Sequence, residues 1–212
     1  MIEVFGRANS SNVWKPLWVL EELGQPFERH DAGMEFGMVG TPEYQLLNPN
    51  GRIPSLRHDG VVLWESNSIC RYLCMMVGGD ARGLYPEDAG ARASVDRWLD
   101  WQLSTLSPAE RDLFWNMVRT PKGERDMQAV QAAIAASANC WAILDARLAD
   151  GRNFIEGAKF TLADIVIGCF ARRWFGPEVQ VPGMPEFAHL SEWYARIAER
   201  PGFRKWVAPK LF

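Results

Sequence analysis

The chain has 212 residues, a formal net charge of −3 and 48% hydrophobic residues, with ten tryptophans among them. That length suits one large domain or two small ones, and the Lys and Arg residues are scattered rather than massed into the basic stripe of a nucleic-acid surface. No unbroken apolar run reaches the roughly eighteen residues of a membrane span, and Glu3 stands in a strand pattern where a signal peptide would be apolar.

Ile2–Phe5 reads as a strand and Val13–Leu23 as an amphipathic helix closed by Gly24. Between them "RANSSNVWKP" gathers two serines and two asparagines. Asn12 is the expected N-cap, because Pro16 then stands at the edge of the first turn, where its missing N–H costs least. Pro26–Ala32 carries a second strand. The Gly-rich loop Gly33–Gly40 leads to a short helix with Thr41 as N-cap and Pro42 at its first position. Ser55–His58 and Val61–Trp64 read as a hairpin turning at Asp59-Gly60, and a helix Ser66–Val77 follows, with Ser66 as expected N-cap. The order β-α-β, linker helix, β-β-α predicts a four-stranded mixed sheet with helices against it.

Gly78–Gly90 is rich in Gly, Pro and Asp and reads as a connector, which sets expected boundaries at 1–78, 79–90 and 91–212. Beyond it no strand pattern stands out. Helical patterns run through Ala91–Thr105, Pro108–Val118, Glu124–Leu148, Phe160–Trp174 and Glu186–Glu199. In Glu124–Leu148, the residues Val130, Ile134, Ser137, Trp141, Leu144 and Leu148 fall on one face. An α/β domain therefore precedes an all-helical one. Thr161 and Asp164 form a capping box, read as structural. Cys70, Cys74, Cys140 and Cys169 make no CxxC pair and no zinc spacing, which suits a reduced, cytoplasmic protein. His30, His58 and His189 are isolated, so no metal site is expected.

Three segments carry candidate chemistry. Ile53-Pro54 precedes a strand; trans is the ordinary state, whereas a cis bond would turn the Ile53 N–H and C=O toward an extended peptide. Glu65 and Ser66 stand where a strand gives way to a helix. They either cap that helix or hold an amino-acid head group, the helix start taking its carboxylate and Glu65 its ammonium. Ser10, Ser11 and Asn12 stand at the start of the first helix, where a hydroxyl can donate to a thiolate. A free thiol has a pKa near ~8.5, and lowering it by about two units takes about 2.7 kcal/mol. One hydrogen bond to a charged group supplies roughly 1.5–3 kcal/mol and a helix terminus about 0.3–1 more. No His or Asp adjoins these serines, so a serine hydrolase is not indicated.

The motifs "RANSSNVWKPLWVLEELG", "NPNGRIPSL", "WESNSICRYL" and "FTLADIVIG", the first three in the family's order and spacing, resemble the cytosolic glutathione transferases. The likeness is to their serine-using bacterial, theta and zeta-type classes and covers the whole chain. It implies a thioredoxin-like N-terminal domain and an all-α C-terminal domain, with glutathione as co-substrate and no metal. It further implies that Ile53-Pro54 is cis and pairs by main chain with the cysteinyl part of glutathione. Glu65 and Ser66 would hold the γ-glutamyl end, Arg52 would lie near the glycine carboxylate, and Ser10, Ser11 or Asn12 would meet the thiol. The electrophile would sit between the domains on apolar walls from Trp98, Trp101, Leu106, Phe114 and Trp115, under a lid of Trp206, Leu211 and Phe212. The resemblance implies a homodimer, with Arg71, Met75, Met76, Arg92 and Arg97 as interface candidates; neither nucleic acid nor membrane is an expected partner. The function so implied is attack of the glutathione thiolate on a hydrophobic electrophile. Reduction of a disulfide or peroxide at the same site, and binding of a ligand or partner without turnover, remain as alternatives.

Overall fold

The computed structural model describes residues 1–78 and 80–209. It divides into two compact units, one formed by Met1–Glu87 together with residues 200–209, the other by Asp88–Glu199. The last ten described residues thus belong by contact to the first unit, whereas the sequence pattern assigned them to the helical domain.

The first unit holds strands β1 (Ile2–Phe5), β2 (Phe27–His30), β3 (Ser55–His58) and β4 (Val61–Trp64). They form one mixed sheet in the order β2-β1-β3-β4, with β1 parallel to β2 and antiparallel to β3. Its helices are α1 (Ser11–Leu23), α2 (Pro42–Leu47) and α3 (Ser66–Val77). Asp59 and Gly60 both take positive φ, 45° and 85°, which lets the β3–β4 connection be a two-residue turn whose twist matches the strands. Val4 and Leu56 face each other in register and are fully buried. Phe5 joins Ala32 and Tyr44 in a small core of its own, lined by Val39, Leu47 and Ile53.

α1 starts two residues earlier than the pattern suggested. The Ser10 carbonyl already accepts from Val13 N and Trp14 N, at 2.8 and 2.9 Å, so Ser10 and not Asn12 occupies the N-cap position. Asn12 is exposed in the first turn, and Pro16 lies inside the helix. α3 shows a similar shift. Glu65 is its N-cap, and the Glu65 carbonyl accepts from Ile69 N at 2.9 Å, so Ser66 is the first helical residue rather than the cap.

Residues 200–209 pack at the C-terminal end of α1. Arg200 donates to both Glu22 carboxylate oxygens at 2.8 and 2.6 Å, and the Phe203 ring stands edge-on to Trp18 with centroids 5.3 Å apart. A Cβ on Gly202 would come within 2.3 Å of Trp18 Cδ1, so only glycine permits this approach. Trp206 lies against Phe27 at 5.8 Å and donates to Glu21.

The second unit is helical: α4 (Ala89–Trp101), α5 (Ser107–Phe114), α6 (Met127–Leu148), α7 (Leu162–Phe175) and α8 (Ala188–Ala198). The separate helices expected on either side of Ser107 run together instead. Leu106 and Ser107 keep helical dihedrals, and Ser107 N–H bonds back five residues to the Gln102 carbonyl. The wider turn takes up Pro108 without a break. α6 starts at Met127, capped by Asp126, and its six-residue face from Val130 to Leu148 is buried. Among the described helices, α6 alone is long and apolar enough on average to suit a bilayer, at mean hydropathy 1.2. It packs against α5 and α8, and Gln, Ser, Asn and Asp interrupt its apolar sequence. The Thr161–Asp164 capping box is present, and the fully buried Asp164 also accepts from Ile155 N and Trp193 Nε1 at 3.0 and 2.8 Å.

Candidate functional site

The strand register collects the candidate residues of the first unit at one edge of the sheet. Phe5 stands opposite both His30 and Ser55, and Ser55 opposite Trp64. The ends of β1, β2 and β4 and the start of β3 are therefore level. From that edge run the chain toward Ser10, the Ile53-Pro54 bond and the Glu65–Ser66 step into α3. A Cβ on Gly6 would lie 2.5 Å from Val13 Cγ2, so the chain crosses the first turn of α1 at glycine distance. Trp14 Nε1 donates to the Ala8 carbonyl at 2.5 Å and pins the loop ahead of Ser10 to the same turn.

Ser10 is half-buried at the N-cap position, yet its hydroxyl makes no capping hydrogen bond. Ser11 is 2% exposed, and Asn12 is exposed. The Ile53-Pro54 bond is cis. Arg52 is exposed, and its carbonyl accepts from Tyr44 Oη at 2.7 Å and Asn48 Nδ2 at 2.8 Å. These two bonds tie α2 to the loop that carries the cis bond.

Glu65 is exposed, holds φ 69° and ψ 110°, and its side chain caps nothing. Ser66 is 7% exposed, and Lys15 Nζ, itself wholly buried, donates to Ser66 Oγ at 3.3 Å and to Asn67 Oδ1 at 3.0 Å. Lys15 and Asn67 were not foreseen. The available signal was a lone lysine in the otherwise apolar run "VWKPLWVL".

The candidate electrophile residues belong to the second unit. Trp101 is half-buried with its ring edge-on to Trp98 at 5.5 Å. Leu106 is fully buried. Phe114 is half-buried beneath the Arg173 guanidinium, 4.0 Å from its ring centroid. Glu110, one turn from each of the last two, is 2% exposed; burial pushes its carboxyl up to about 8 against the opposing pull of Arg173. Trp206 is no lid over Ser10: Phe27 and Glu21 hold it at the opposite end of β2 and α1. Leu211 and Phe212 lie outside the described residues.

Burial pushes the Cys70 thiol up to about 12 and raises that of Cys74 as well, so neither offers a thiolate. Among the described residues no group of His, Cys, Asp or Glu could hold a metal ion.

A small mixed sheet with a cis proline ahead of its third strand, followed by an all-helical unit, is the two-domain architecture of glutathione transferases, with a thioredoxin-like first domain. The chain matches the glutathione S-transferase N-terminal domain over residues 9–75 and the C-terminal domain over residues 127–196. It is 40% identical over 209 residues to glutathione S-transferase GstB of Escherichia coli strain K12, covering 98% of each chain. It is similar, at TM-score 0.93 and 43% identity, to the theta class glutathione S-transferase of Xanthomonas axonopodis pv. citri solved with glutathione bound, covering 100% of this chain and 99% of that one. Glutathione transferase F2 of Populus trichocarpa is a further match, at TM-score 0.88 and 25% identity over 98% of this chain and 97% of that one. The chain belongs to the glutathione S-transferase family.

Proposed function

We propose that this chain binds glutathione along the sheet edge described above and presents its sulfur, as a thiolate, to a hydrophobic electrophile. The Ser10 hydroxyl donates to the sulfur, with Ser11 and Asn12 as its neighbours in the same turn. The Ile53 main chain, held outward at cis Pro54, pairs with the cysteinyl residue. Glu65 takes the γ-glutamyl ammonium, Ser66 and the start of α3 take its carboxylate, and Arg52 lies toward the glycine end. Half-buried Trp101 and Phe114 are the candidates to meet the electrophile, whereas fully buried Leu106 offers it no surface. Rate then comes from the thiolate population and from holding two reactants together.

The observation that carries this reading is the Ser10 hydroxyl: it stands at a helix N-terminus, accepts no capping bond and donates to no acceptor among the described residues, so its proton is open to a ligand. The four cysteines are buried and form no disulfide, which supports thiol chemistry on a bound tripeptide and a reducing, cytoplasmic setting. A homodimer belongs to the same reading, supported by exposed apolar residues such as Met75 at 54% and Trp64 at 42%.

Ultraviolet titration of the protein with glutathione tests it. A thiolate band at neutral pH is expected, together with turnover of a chloronitrobenzene-type substrate faster than of a mixed disulfide. A protonated sulfur, or no binding, overturns it.

A further inference from the structure

Ser66 Oγ is more than nine-tenths buried, accepts from Lys15 Nζ at 3.3 Å and donates to no acceptor among the described residues. A hydroxyl has one proton and two lone pairs. With a lysine N–H on one lone pair, Ser66 Oγ keeps one lone pair and its proton, and that proton has no acceptor among the described residues. Its acceptor has to arrive from outside the first unit's own side chains. The first turn of α3, Ser66 to Ile69, carries no basic residue. The ammonium that reaches this helix start comes from α1, through Lys15, which is 0% exposed and held in place by Asn67 Oδ1 at 3.0 Å.

We infer that Lys15 is a positioning residue for the γ-glutamyl α-carboxylate of glutathione: it orients the Ser66 O–H outward and sets a fixed positive charge behind it. This rests on the reading of Ser66 given under the proposed function. The consequence is selectivity for an anion. A neutral group in the same place gains the hydroxyl's hydrogen bond but little from the ammonium behind it, whereas a carboxylate gains from both and from the helix start. A lysine serving only to join α1 to α3 would support every ligand of the cleft alike.

The test is calorimetric titration of the wild-type protein, Lys15→Met and Lys15→Arg with two ligands. One is glutathione; the other is γ-aminobutyryl-cysteinyl-glycine, which lacks only the α-carboxylate. Lys15→Met is expected to weaken glutathione about tenfold, the size of a charge-assisted hydrogen bond, and to leave the analogue within about twofold. Lys15→Arg is expected to recover most of the loss. Equal loss for both ligands, or loss for neither, overturns the inference while leaving the glutathione reading intact. A wild-type protein that takes up neither ligand, or takes both equally, overturns the reading of the site and the inference with it. If Lys15→Met does not fold, the wild-type protein labelled with 15N-lysine decides: the Lys15 Nζ resonance moves with glutathione and not with the analogue, and a resonance unmoved by glutathione is the overturning result.

Discussion

The Tyr44 hydroxyl on α2 reaches the Arg52 carbonyl at 2.7 Å and the Ser55 hydroxyl at 2.9 Å. One buried phenol thus holds both sides of the Ile53-Pro54 step. Tyr44→Phe keeps the ring, which is 1% exposed, and removes both bonds. The Arg52 carbonyl keeps Asn48 Nδ2, whereas buried Ser55 Oγ loses its partner. A stability loss of about 1–2 kcal/mol in urea unfolding is expected. Glutathione affinity should fall several-fold, because the Ile53 main chain is less firmly presented. Unchanged affinity would show that the loop holds its shape without α2.

Ser10 separates a capping role from a chemical one. A serine whose side chain caps a helix loses about 1 kcal/mol of stability on replacement by alanine. Ser10 makes no such bond, so Ser10→Ala should alter stability by less than about 0.5 kcal/mol. The pKa of bound glutathione should nevertheless rise by about one to two units, the worth of one hydrogen bond to a charged sulfur. Thiolate absorbance against pH measures it. If Ser11→Ala or Asn12→Ala moves that midpoint and Ser10→Ala does not, the sulfur rests one or two residues further along.

Glu65 sits at φ 69° and ψ 110°, a conformation that costs a non-glycine residue about 1–3 kcal/mol. Glu65→Gly relieves that strain and deletes the carboxylate proposed to hold the γ-glutamyl ammonium. The expected result is a protein at least as stable as the wild type, with glutathione affinity reduced tenfold or more. Thermal unfolding and calorimetry on the same sample read the two effects. A variant that loses stability as well would mean the exposed carboxylate serves the fold.

Local signals made most of the fold legible. The Asp59-Gly60 turn, the Thr41–Pro42 helix start and the Thr161–Asp164 box each depend on residues within four positions of one another, and each formed as its pattern indicates. The side-chain pattern does not fix the start of α1, because Ser10, Ser11 and Asn12 all satisfy the capping rule. What chose among them is the Ser10 carbonyl, which no side-chain pattern records. The position of Trp206 has a tertiary cause: it depends on Phe27 and Glu21, some 180 residues earlier in the chain. In the candidate site, the segments stood out as departures from helix and strand pattern. Lys15 did not, because a lysine in an apolar helix reads as a surface residue until its partners on α3 are known.

Glu110 offers a pH test confined to the helical unit. Burial raises its carboxyl from the ordinary 4.5 to about 8, with the Arg173 guanidinium and then the Trp141 indole only partly offsetting the cost. Between those two values the native protein keeps a proton that the unfolded chain has released. The native state then binds more protons than the unfolded one, so stability falls as pH rises. The contribution is fully present below about 4.5 and is lost by about 8. Glu110→Gln fixes the side chain in a neutral form of the same shape and removes this dependence. Its stability should match the wild type near pH 4.5 and exceed it by up to about 5 kcal/mol above pH 8, at about 1.4 kcal/mol for each unit of the shift. Urea unfolding across that range measures the divergence. Parallel curves for the two proteins would mean that Arg173 holds the carboxylate ionised throughout, as a buried ion pair whose disruption destabilises at every pH.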